Sequence, residues 1–76
     1  MRLPSLKPAE VIFVLKKLGF IEKRQTGAHK IFYHPTSKKI VVVPTHTRDI
    51  KRGLLRAIVA QLELKPNDFL MALRKK

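Results

Sequence analysis

Residues 20–44 read FIEKRQTGAHKIFYHPTSKKIVVVP, and the fold turns on how this stretch is punctuated. Phe20 to Gln25 alternates apolar and charged side chains through its first half, the period-two pattern of a short strand. Thr26-Gly27 ends it. Ala28 to His34 is rich in aromatic and β-branched residues and begins at hairpin distance, so a second strand runs back along the first. Pro35-Thr36-Ser37-Lys38 is turn chemistry, with Pro35 preset for the second position of a turn. Lys39 to Val43 makes a β-branched third strand that Pro44 closes. Connections this short force an antiparallel meander.

The flanks of the meander have helical spacing. Pro8 suits a first helical position and Glu10 the third, where a carboxylate meets unpaired N–H groups. Val11, Val14, Leu15 and Leu18 then recur on one face, Lys16 and Lys17 fall on the other, and Gly19 supplies the stop. Phe13 lies off the centre of that face, either as a flank of the core or as an exposed anchor for a protein partner. After a polar connection over 45–50, Leu55, Ile58, Val59 and Leu62 mark a second helix from about Lys51 to Leu62. Pro66 with Asp68 repeats the logic of Pro8 with Glu10, and Phe69, Leu70 and Leu73 define a short terminal helix fraying into Arg74-Lys75-Lys76. The expected fold is α+β, in the order α-β-β-β-α with an appended helix, the helices covering one face of the sheet, as a single domain over 1–76.

Seventy-six residues leave room for one small core. With no cysteine there is neither a disulfide nor a thiolate metal site to reinforce it, and nothing ties the chain to an oxidising compartment. The longest apolar run, Val11 to Leu15, is far short of the roughly 20 residues of a membrane span, and no signal pattern opens the chain. A soluble, cytoplasmic protein is expected. Its 17 Lys and Arg against five acids give a formal net charge of +12, the footprint of a nucleic-acid binder rather than of an interfacial membrane helix.

The charge is concentrated. From Lys23 through Arg48 there is no acid, and this window holds His29, His34 and His46 together with Lys23, Arg24, Lys30, Lys38, Lys39 and Arg48. Lys51-Arg52-Gly53 opens the second helix, where the dipole disfavours cations; a bound phosphate or Asp49 acting as cap would balance them. The three histidines lack a cysteine, a nearby carboxylate ligand and an acid to orient an imidazole, which argues against a metal site and against acyl chemistry. His34 suits a turn or strand end, and His46 a loop contact or a residue that reaches the site. His29 shares strand parity with Ile31 and Tyr33, opposite Ala28, Lys30 and Phe32, and on residue pattern alone it is a packed, a surface or a catalytic histidine.

Five pieces stand in order: Lys17-Leu18-Gly19-Phe20, Arg24 to His29, His34-Pro35, Val43 to His46, and Lys51 to Leu55. Together they resemble the HicA toxin family over about residues 4 to 70. The resemblance implies a fold like the double-stranded RNA-binding domain, a ribosome-independent endoribonuclease acting on mRNA, and inhibition by a HicB-type antitoxin in a hetero-oligomer. It also implies that the histidine of a Gly-Ser-His motif is catalytic, which is His29 here. Two residues depart from that pattern: Ala28 stands where the motif has Ser, and Lys30 where a second His or Arg is often found. The second helix begins Lys51-Arg52-Gly53 where Lys-Pro-Gly is common.

From these readings His29 is expected to act as general base or acid without metal, cofactor or small-molecule substrate, as a slow enzyme. Arg24, Gly27, Lys30, Lys38, Lys39, Arg48, Lys51 and Arg52 are expected to hold RNA, and Phe13, Tyr33 and His46 to meet the antitoxin. The alternative is a non-catalytic RNA-binding module that uses the same basic sheet.

Overall fold

The computed structural model describes residues 5–74, so the expected fraying into Lys75 and Lys76 lies outside the described residues. The order is α1 (Pro8–Lys17), β1 (Ile21–Thr26), β2 (His29–Tyr33), β3 (Ile40–Pro44), α2 (Arg52–Gln61) and α3 (Pro66–Arg74). The strands form one antiparallel sheet in the order β1-β2-β3, giving the expected α+β meander with helices on one face. Strand ends shift by about one residue from the sequence reading: Phe20, Ala28, His34 and Lys39 fall outside the ladder, and Thr26 and Pro44 fall inside it. Pro44 is tolerated at the last position of an edge strand, where no ladder N–H is required.

Local chemistry accounts for the helix boundaries. The Lys7 N–H donates to Glu10 Oε1 at 2.9 Å, which fixes the start of α1. At its end Gly19, with φ +99°, lets the Phe20 N–H reach the Leu15 carbonyl and the Gly19 N–H the Lys16 carbonyl. This is the two-bond Schellman closure, and Phe20 folds into the core behind it. The end of α2 repeats the pattern, Leu64 N–H to Val59 and Glu63 N–H to Ala60, with Glu63 rather than glycine in the left-handed conformation at φ 59°.

Parity sorts the sheet. Phe32, Val41 and Val43 are fully buried beneath the helices, packed with Val11, Val14 and Leu15 of α1, Leu55 and Ile58 of α2, and Phe69 of α3. Ile50 closes the near edge by donating its N–H to the Leu6 carbonyl at 2.7 Å, which ties the segment before α1 to the segment before α2. The helices cover β2 and β3 but not β1, whose six residues are all exposed. Among the described residues no helix is long and apolar enough to cross a membrane.

Candidate functional site

The uncovered face of the sheet is written by the register in three rows. Thr26, His29 and Pro44 form the row at the β1–β2 turn; Arg24, Ile31 and Val42 form the next; Ile21, Tyr33 and Ile40 form the last. Successive rows lie ~7 Å apart, the spacing of two strand residues. Lys23 is the extra residue of a bulge between Glu22 and Arg24, and its Nζ sits 5.6 Å from the Tyr33 ring centroid. Lys38 approaches the same ring at 6.0 Å. The face is thus polar and histidine-bearing at the turn, and apolar with a cationic rim at the other end, where Ile21, Ile40 and Val42 are 55%, 49% and 44% exposed.

His29 is exposed at the first position of β2, just after the tight turn at Gly27, whose φ of 55° is open to glycine at no cost. The Ala28 carbonyl accepts both the Thr45 N–H at 2.6 Å and the Thr45 hydroxyl at 2.9 Å. That clamp joins the residue before His29 to the residue before His46, and the two imidazoles stand with ring centroids 5.9 Å apart at 61°. Ala28 makes this connection through its backbone, so the hydroxyl missing from the motif position plays no part in it. Thr45 and His46 meet the His29 turn, a contact that sequence pattern does not reveal: the only signal is their place in the Val43 to His46 piece, and the fold brings that piece to the hairpin turn.

The other expected residues divide. Arg24 shares the His29 face, Gly27 forms the adjoining turn, and Arg48 lies exposed in the His46 loop. Lys30 points to the helix-covered face and pairs with Glu22 at 3.6 Å. Lys39 lies beyond the far end of β2 and binds Glu63 at 2.9 Å, and this hydrogen bond and its charge hold the Glu63 carboxyl below its ordinary range. The acid-free window is therefore partly neutralised by carboxylates on either side of it. Lys51 and Arg52 are exposed at the start of α2, which has no side-chain cap and no acid in its first turn, so Asp49 does not cap it. Phe13 is exposed on α1 with Lys17 above its ring, so it is not a flank of the core.

His34 has a structural task. Its Nε2 bonds the Leu18 carbonyl at 3.1 Å, and its Nδ1 accepts the N–H groups of Thr36 and Ser37 at 3.2 and 3.1 Å. These partners require Nε2 to carry the proton. A cleft of about 210 Å³ beside it, bounded by Leu18, Phe20 and Leu62, lies at the opposite end of β2 from His29. Among the described residues no three His, Cys, Asp or Glu side chains gather as a metal-binding group.

The fold is a small α+β domain with helices on one side of its sheet and, on the other, an exposed imidazole with Arg24 in the next row. A sequence model of the family described as HicA toxin of bacterial toxin-antitoxin matches residues 8–64, from the start of α1 to just beyond α2. The chain belongs to the HicA toxin family, and an antitoxin is its partner in such a system. No curated protein matches the chain.

Proposed function

We infer that this toxin is a metal-independent endoribonuclease that cleaves mRNA at His29 and is neutralised by a HicB-type antitoxin. The observation that carries the reading is the exposed His29 imidazole at the turn end of a sheet face that bears Arg24 and, among the described residues, no carboxylate. Imidazole is the one side chain whose ordinary pKa lies near neutrality, which suits proton transfer in attack of a ribose 2′-OH on the adjacent phosphate. Arg24 offers charge-assisted hydrogen bonds to the phosphorus oxygens, with Arg48, Lys51 and Arg52 as further backbone contacts. The row of exposed Ile21 and Ile40 on either side of half-buried Tyr33, rimmed by Lys23 and Lys38, suits an acidic protein partner that buries apolar area while matching charge.

The test is incubation of purified protein with an unstructured transcript in EDTA, beside a His29→Ala variant. The wild type is expected to leave 5′-OH and 2′,3′-cyclic phosphate ends, and the variant to lose on the order of 100-fold or more of the rate. Cleavage that survives the substitution overturns the assignment. Unchanged RNA stability with wild-type protein, accompanied by tight binding that His29→Ala removes, would favour the non-catalytic RNA-binding module.

A further inference from the structure

We propose that His46 is the second proton-transfer residue of the site, so that His29 and His46 work as an acid–base pair. This rests on the reading of His29 as an RNA-cleaving histidine.

Cleavage by an internal 2′-OH forms the P–O2′ bond and breaks the P–O5′ bond. One group must take the 2′-OH proton and another must give a proton to the departing O5′. The first leaves as imidazolium and the second as neutral imidazole, and solvent exchange resets both, so atoms and charge balance with no further reactant. A single histidine covers only half of this.

Among the residues around His29 the second group is narrowed by chemistry. Its row neighbours are Thr26 and Pro44, and the next row contributes Arg24, none of which exchanges a proton near neutral pH. His34 is at the far end of β2 with both ring nitrogens engaged by backbone groups. His46 remains, exposed and 5.9 Å from His29 between ring centroids. The rings are inclined at 61° in an edge contact rather than stacked, which brings both imidazoles to one spot on the exposed surface. The spacing is also built: Thr45 holds Ala28 through two hydrogen bonds, immediately before each histidine in the chain.

The experiment compares wild type, His29→Ala, His46→Ala and His46→Gln on two oligoribonucleotides, one natural and one with sulfur replacing the bridging 5′ oxygen at the cleaved bond. A thiolate departs without a proton, so loss of the acid is relieved on the sulfur substrate and loss of the base is not. Both histidine variants are expected to fall on the order of 100-fold or more on the natural substrate. One of the two, and only one, recovers to near the wild-type rate on the sulfur substrate, and His46→Gln behaves as His46→Ala. Thermal unfolding of each variant checks that it is folded, which is expected because both side chains are exposed. The proposal is overturned, with the His29 reading intact, if the His46 variants match wild type or if both or neither of the histidine sites recover. Wild type that cleaves neither substrate overturns both.

Discussion

The Ala28 carbonyl accepts two hydrogen bonds from one residue, Thr45, through its backbone N–H at 2.6 Å and its hydroxyl at 2.9 Å. The contact is half-buried and spans 17 residues of sequence, so it joins the β1–β2 turn to the loop after β3 at the point where His29 and His46 diverge from it. Thr45→Val keeps the shape and the N–H bond but removes the hydroxyl bond. It is expected to cost about 1 kcal/mol of stability, the net worth of one such bond. The cleavage rate should fall by more than the unfolded fraction explains, up to roughly 100-fold, because a small misplacement of a reacting group is costly. Urea unfolding and single-turnover cleavage of the same sample separate the two effects; a rate that only follows the folded fraction would remove Thr45 from the positioning role.

The two Schellman closures make opposite predictions for glycine. At Gly19 a Cβ would meet His34 Nε2 at 3.0 Å with the backbone at φ +99°, so Gly19→Ala is expected to destabilise by about 1–3 kcal/mol and to disturb the His34 bond to Leu18. At Glu63 the same left-handed geometry is held by a residue with a side chain, at a cost of roughly 1–2 kcal/mol. Glu63→Gly relieves that cost and loses only a well-exposed partner of Lys39, so the midpoint of thermal unfolding should rise. A fall in the midpoint would mean that the ion pair outweighs the backbone strain.

Local rules made most of this fold readable. Pro8, Glu10 and Gly19 bracket α1 because capping and left-handed closure are decided by neighbours within one turn. The meander is legible for the same reason, since short turns leave strands no other partners. What local rules leave open is which face of β2 is covered: His29 and Phe32 have opposite parity, and only the three helices, by burying Phe32, settle that His29 faces outward. The pairing of Lys39 with Glu63, and the meeting of His46 with His29, depend on segments brought together by the core, and no window of sequence contains both partners at a diagnostic spacing. The pairing of Lys30 with Glu22 is of the same kind, because the cationic charge is visible in sequence while the turn toward Glu22 is a matter of register.

α3 lies beyond the segment that the family sequence model matches, yet Phe69 is fully buried and the Lys17 ammonium donates to the Ala72 carbonyl at 3.1 Å. The helix is therefore part of the core rather than an appendage. Phe69→Ala is expected to cost about 3–5 kcal/mol. That is comparable with the whole stability of so small a domain, ~5 kcal/mol. Urea denaturation followed by far-ultraviolet circular dichroism should show a partly unfolded variant before denaturant is added, and RNA cleavage should fall in step with the folded fraction. A variant with the wild-type midpoint would mean that the α3 contact contributes little, and that α1, α2 and the sheet suffice.

Arg24 on β1 and Lys30 on β2 carry the same charge close to the Gly27 turn but on opposite faces, so variants of the two separate charge on the His29 face from the charge of the chain as a whole. Arg24 shares the His29 face, whereas Lys30 is directed to the helix side and held 3.6 Å from Glu22. If RNA lies along the open face, Arg24→Ala removes one phosphate contact and flattens the dependence of log affinity on log salt by about 0.7, the share of one charge on a single strand. Lys30→Ala removes a partly exposed ion pair, which costs at most about 1 kcal/mol of stability, and the salt slope stays at the wild-type value. Filter binding of a non-cleavable 2′-deoxy-substituted strand over a range of potassium chloride concentrations reads both slopes without turnover. Equal flattening in the two variants would show that affinity follows net charge alone, and the assignment of RNA to the His29 face would lose its electrostatic support.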